Sequence, residues 1–445
     1  MKRIFQNLYL GNRLFIALGI VVAFYILAFL FSIFLWIGNI FLIIIFIAFI
    51  SELLLLFNQK KGVDAQRFLP EKLSNGDENN VKINLKNNYP FRLNLKIIDE
   101  VPFQFQLRNF EVEKVLEKAQ NEFFEYSLFP KNRGEYFFGS LNVYASSPLG
   151  FISRRYRFDQ DQMIPSYPSF IHLPKYEIMA MQNEFLMGGI KKIRKIGHTM
   201  EFEQIKEYVM GDDIRSINWK ASGKRNQLMV NQYQEEKSQR IYMIIDKGRT
   251  MKMPFNGLTL LDYSINASMA ISHIVLKKKD HAGVMTFSNK TENIVAAEAK
   301  PGQLRKISEN LYNVQTNFYE SDFNKLYIDL KYQVNRRSLM ILFTNFETLD
   351  GLYRQLKYLR AISKSHLLVV VFFKNPEIMK ISDGRNHTSV EDVYDQIIAE
   401  KFEYEKRLIR QELLKYGIQS VYTLPENLSI SVINKYLEIK ARGIL

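Results

Sequence analysis

The order of apolar and polar positions divides the chain into three textures. Residues 14–36 (LFIALGIVVAFYILAFLFSIFLW) are 23 uncharged, mostly apolar positions; after IGN, residues 40–57 form a second run of 18 whose one charge is Glu52. Crossing a hydrocarbon core takes about 20 such residues. The pattern therefore predicts two transmembrane helices turning at Gly38 and Asn39, with Glu52 near enough to the end of the second to reach the headgroups. A cleaved signal peptide fits poorly, because the run is too long and a second follows at once. From Val81 the period becomes two: VKINLKN alternates Val81, Ile83 and Leu85 with polar residues, FRLNLKI does so with Phe91, Leu93, Leu95 and Ile97, and YFFGSLNVYA is read with Phe137, Leu141 and Val143 on one face. Alternation broken by NNYP, FPKNRGEY and SSPLGF predicts short antiparallel strands in a β-sandwich of immunoglobulin-like kind. Beyond residue 239, the short apolar runs IYMIID, HAGVMTF, SLMILFT and SHLLVVVFF, polar chiefly at their ends, alternate with helical spacings. That texture predicts a mainly parallel sheet covered on both faces, whose functional crevice lies beyond the carboxyl ends of its strands. The expected layout is a helical hairpin at 1–60, a β-sandwich at 61–178, a connecting segment at 179–238 and an α/β domain at 239–445.

Charge orients this layout. Lys2, Arg3 and Arg13 precede the first run, Lys60, Lys61 and Arg67 follow the second, and the expected turn has none. The positive-inside rule then places both ends, and the bulk of the chain, in the cytoplasm at the inner membrane. The net charge is +14 over 445 residues, and residues 1–57 contribute only Lys2, Arg3 and Arg13 against Glu52. Most of the excess is therefore in the soluble part, which suits anionic neighbours such as lipid headgroups. There is no cysteine, which excludes disulfides, thiolate metal sites and cysteine nucleophiles. The six histidines, His172, His198, His273, His281, His366 and His387, show no metal or triad spacing, and no phosphate-loop glycine pattern is present.

The stretch EFEQIKEYVMGDDIRSINWKASGKRNQLMVNQYQEEKSQRIYMIIDKGRTM, residues 201–251, resembles the signature of the domain-of-unknown-function family 58, in which G-D-D-x-R-x-I-N-W-K leads into a von Willebrand factor A-like domain. The matching positions are Gly211, Asp212, Asp213, Arg215, Asn218, Trp219 and Lys220. The resemblance implies a Rossmann-like α/β domain of the von Willebrand A kind, association with a MoxR-type AAA+ ATPase, and no defined activity of its own.

Von Willebrand A domains often hold a divalent cation through D-x-S-x-S, a later Thr and a later Asp. The positions corresponding to that set are Asp246, Gly248, Thr250, Ser321 and Asn345. Gly248 supplies no hydroxyl and Asn345 no charge, which matters for Mg²⁺, a cation demanding in ligand number and geometry. The expectation is that Asp246 and Thr250 cap and shape the loop, with Mg²⁺ at a degenerate site of Asp246, Thr250, Ser321 and Asn345 as the alternative. In GDDIRSINWK, Gly211 and Asp212 are expected to form a turn closed onto backbone amides. Arg215 is expected to pair with Asp213 or a carboxylate of the sheet, Trp219 to be buried with its indole N–H bonded, and Lys220, Lys224 and Arg225 to form a basic rim. The function expected from these features is a membrane-anchored, non-enzymatic adaptor that docks the ATPase through its strand-end loops. Two alternatives are a metal-dependent hydrolase using Asp212, Asp213 and Asp246, and a nucleic-acid binder using KKIRKIGH and KASGKR. The second lacks interleaved base-stacking aromatics, and nucleic acid is not expected as a partner.

Overall fold

The computed structural model describes residues 6–59, 61–108, 110–158, 161–187, 200–235, 238–316, 318–383 and 390–444. Lys2, Arg3, Lys60, the KKIRKIGH segment with His198, and His387 lie outside the described residues. The chain is mixed α/β and forms two compact units, Met1–Tyr167 and Pro168–Leu445.

In the first unit, β1 (Leu8–Leu10) leads into α1 (Asn12–Ala28) and α2 (Ile33–Asn58). The turn between these helices falls at residues 29–32, not at Gly38 and Asn39. Gly38 lies inside α2, where a Cβ would come within 3.2 Å of the Tyr25 ring, and the Tyr25 hydroxyl donates to Asn39 Oδ1 at 2.7 Å. The Gly-Asn pair thus serves close helix–helix packing. Among the described residues only α2 is long and apolar enough to cross a membrane; α1 is shorter, at 17 residues. The spans expected at residues 14–36 and 40–57 become a shorter first helix and a longer second one. Glu52 is also placed differently. It is fully buried, and its carboxylate accepts from the Ser147 hydroxyl (2.6 Å) and the amides of Gly150 (3.2 Å), Phe151 (3.0 Å) and Ile152 (3.2 Å). A carboxylate can leave water at this position because four donors replace its hydration.

The strands that follow are β2 (Val63–Phe68), β3 (Leu73–Ser74), β4 (Asn79–Asn87), β5 (Leu93–Asp99), β6 (Glu111–Leu116), β7 (Asn121–Leu128), β8 (Gly134–Phe138), β9 (Leu141–Ser146), β10 (Ile152–Phe158) and β11 (Gln162–Tyr167). They form a five-stranded sheet in the order β1-β10-β9-β5-β6 and two three-stranded sheets, β2-β4-β7 and β3-β11-β8. Alternate residues of β4, β5 and β9, including Ile83, Leu85, Leu93, Leu95, Ile97, Leu141 and Val143, share one core with Leu56 of α2. Phe137 departs from the expected face: it is exposed, while Tyr136 and Phe138 on either side are buried, because Gly139 and Ser140 separate β8 from β9 and break the alternation.

The second unit opens with α3 (Leu173–Met187) and an antiparallel pair, β12 (Met200–Glu207) and β13 (Met229–Glu235), whose connection carries α4 (Trp219–Arg225). Then come β14 (Arg240–Asp246), the two-residue strands β15 (Pro254–Phe255) and β16 (Leu258–Thr259), α5 (Leu260–Lys277), β17 (His281–Phe287), β18 (Thr291–Glu298), α6 (Gln303–Tyr312), α7 (Phe323–Gln333) and β19 (Leu339–Phe343). The unit closes with α8 (Leu349–Ser365), β20 (Leu367–Phe373), α9 (Pro376–Asp383), α10 (Val390–Lys415), β21 (Gln419–Thr423) and α11 (Leu428–Arg442). The main sheet runs β18-β17-β14-β19-β20-β21, parallel throughout except for β18. Along β14, Ile241, Met243 and Ile245 enter one core and Tyr242 and Ile244 the other. A strand buried on both faces has no polar alternation left, which is why these runs read as apolar throughout. The strand order turns back between β14 and β19, so their carboxyl ends frame the crevice at the switch point.

Candidate functional site

Asp246, the last residue of β14, sits in that crevice and is buried. Its Oδ1 accepts from the Gly248 amide at 2.8 Å and from the Ser321 hydroxyl, and its Oδ2 accepts from the Thr344 hydroxyl at 2.7 Å. Burial pushes its carboxyl above the ordinary carboxylate range, and the two hydroxyls and the amide oppose that shift. Gly248 is explained by the same packing: a Cβ there would lie 2.2 Å from Ser321 Oγ and 3.1 Å from Asp246 Oδ1. The Ser321 hydroxyl takes the room that a side chain at 248 would need.

The structure thus joins Asp246 and Ser321, as the sequence suggested, and adds Thr344, which the sequence reading passed over for its neighbour. Asn345 turns elsewhere. It is buried, and its Oδ1 is 3.5 Å from the Lys406 amino group, which also donates to the Phe346 carbonyl. Burial of this amine pushes Lys406 down to about 8, while Glu347, Glu403 and Glu405 oppose the shift. Thr250 lies in the 3-10 turn Arg249–Lys252 that follows the loop, and Arg249 pairs with Glu320 on the exposed rim at 3.1 Å. These residues do not fit Mg²⁺. The crevice offers one carboxylate, already engaged by three donors, and places an ammonium beside Asn345, whereas the ion asks for about six oxygens in near-octahedral array. Among the described residues no three Asp, Glu or His side chains converge on a point, so Asp212, Asp213 and Asp246 do not form the cluster a metal hydrolase needs.

The signature segment is architecture of a particular kind. Gly211 has φ +112°, which favours glycine. Asp212 accepts from Lys206 Nζ at 2.9 Å and from the Val209 amide at 3.1 Å, and these two partners hold its carboxyl below the usual range. Asp213 accepts from the Arg215 amide at 3.0 Å and caps the 3-10 turn Ile214–Ser216. Asn218 caps α4 through the Ala221 amide at 3.0 Å and donates to Asn231 Oδ1 at 2.8 Å. Asp212 closes onto an amide as expected, whereas Asp213 takes the Arg215 backbone amide in place of the expected side-chain pair, and Trp219 is 71% exposed instead of buried. The reason is local. A helix of seven residues buries one side chain, Ser222, which bonds the Asn218 carbonyl and the Met229 amide, and Trp219 at its first position faces outward.

Residues 204–415 match the family model described as "Protein of unknown function DUF58". This segment belongs to the DUF58 family. The matched DUF58 region contains both the signature arm and the Asp246 crevice. The "Uncharacterized protein YeaD" of Bacillus subtilis (strain 168) is 24% identical over 264 residues, which cover 57% of this chain and 63% of that protein. The chain therefore spans less than two thirds of the curated relative it matches. Among solved structures, the SpRpn10 VWA domain aligns at a TM-score of 0.26 and 12% identity over 44% of this chain and 93% of that one. PapD-like domain 7 of human CEP192 aligns at a TM-score of 0.20 and 12% identity over 24% of this chain and 87% of that one.

Proposed function

We propose that this protein is a membrane-anchored adaptor that performs no catalysis and docks a MoxR-type AAA+ ATPase through the rim of its strand-end crevice. In this reading the first unit is an immunoglobulin-like β-sandwich on an N-terminal anchor, the second is von Willebrand A-like, and both units face the cytoplasm. The observation that carries the reading is the state of Asp246. Its oxygens are engaged by Gly248, Ser321 and Thr344, which leaves neither a free base nor a ligand set, while Arg249 and Glu320 stand exposed above it. A crevice satisfied by its own hydrogen bonds is suited to holding a surface in shape. The apolar α2, with Lys61 beyond its carboxyl end, Arg13 at the amino end of α1 and no cation in the turn 29–32 between the two helices, supports the anchor and its orientation.

The test is binding of a purified MoxR-type ATPase to the detergent-solubilised chain. Arg249→Glu combined with Thr250→Ala should weaken binding at least about tenfold, roughly 1.4 kcal/mol, with melting unchanged. Equal binding of both forms would place the contact elsewhere.

A further inference from the structure

The connection between β12 and β13, residues 208–228, is held tightly by Asp212, Asp213, Asn218 and Ser222, yet most of its large apolar side chains face outward. Met210 is 97% exposed, Ile214 68% and Trp219 71%, and Val209 and Leu228 are exposed as well. A hydrophobic set displayed on a rigid frame marks a contact surface. The same stretch carries exposed Arg215, Lys220, Lys224 and Arg225, while its two acids are committed to closing the loop on Lys206 and on backbone amides.

We propose that this arm is a second, peripheral lipid anchor, with Met210, Ile214 and Trp219 entering the interfacial layer of an anionic leaflet and Arg215, Lys220, Lys224 and Arg225 contacting its headgroups. Three features favour lipid over a protein partner. The patch mixes tryptophan with lysines, a pairing common at membrane interfaces, whereas lysine is depleted from protein interfaces. Its net charge is positive and complements anionic lipid. The chain also contains α2, so a bilayer is within reach if the membrane-anchored reading holds. The polar part of the signature builds the frame, and the frame presents the apolar side chains.

The experiment uses the full chain with Trp36→Phe, which leaves Trp219 as its single tryptophan. Flotation with pure phosphatidylcholine vesicles reports the helical anchor by itself; if the chain fails to float there, the anchor reading fails and the arm is judged by flotation with phosphatidylglycerol-containing vesicles. Trp219 emission then reports the arm. With phosphatidylglycerol present it should shift to the blue and be quenched by lipids brominated near the headgroup, and both effects should fade in high salt. A cation near an anionic leaflet changes partition by about fivefold. Lys220→Ala with Lys224→Ala should therefore lower the ratio of inserted to free arm by about 25-fold, with the circular dichroism of the native fold retained. Equal quenching by aqueous iodide in both lipid compositions would overturn the proposal. So would shielding of Trp219 that follows protein concentration or an added acidic protein instead of lipid charge.

Discussion

At Asp246 the decisive matter is what the carboxylate touches. Its hydrogen bonds to Gly248, Ser321 and Thr344 make it a structural keystone of the crevice. Asp246→Ala should leave an amide and two hydroxyls without a partner at a buried position and cost about 2–4 kcal/mol, read as a lower urea midpoint. Asp246→Asn can keep the amide and hydroxyl contacts through its own oxygen and nitrogen, and should melt close to the native protein. His366 gives a second prediction. It is buried at the head of β20, and burial, with Arg337 second, depresses its pKa below the ordinary imidazole value of about 6.5. The folded state thus holds the neutral ring, so its stabilising contribution is present above pH 6.5 and lost as pH falls through the depressed value. Urea midpoints should decline on acidification from neutral pH, and less steeply in His366→Phe.

At the scale of elements, legibility followed burial geometry. β4 and β5 were readable because one face of each is buried, which imposes a period of two; β14 and β19 were readable because both faces are buried, which leaves apolar runs bounded by turns. The helical hairpin misled because its real turn, residues 29–32, is FLFS, as apolar as the helices, while Gly38 and Asn39 look like a turn but serve packing against Tyr25. Thr344 was missed because successive side chains of an extended segment point apart, and choosing Asn345 as the residue facing Asp246 excluded its neighbour. Lys406 had no local signal: it is one cation among many in α10 and is singled out by burial and by its contacts with Asn345 and the carbonyl of Phe346. Glu52 was read as a headgroup-facing charge because its four donors lie about 100 residues away, in the loop between β9 and β10 and at the first residue of β10. Its burial makes a clear prediction for that element pair. Glu52→Ala should strip acceptors from Ser147, Gly150, Phe151 and Ile152 and destabilise the first unit by about 3 kcal/mol or more. Proteolysis in detergent would read this as early cleavage near residue 150.

For the whole molecule, the composition and the two apolar runs were enough to suggest an anchored chain with a basic soluble portion. They did not reveal that the crevice is closed by its own hydrogen bonds or that the signature displays its tryptophan, since both are properties of tertiary packing around a few polar residues. The donors of Gly248, Ser321 and Thr344 close the crevice around Asp246 from within, so its shape should not depend on a cation. The most direct measurement is the melting temperature of the native chain in millimolar Mg²⁺ and in EDTA, compared with Asp246→Asn. The account predicts the same melting temperature in both solutions for both proteins. A rise of several degrees with Mg²⁺ in the native chain that disappears in Asp246→Asn would contradict it.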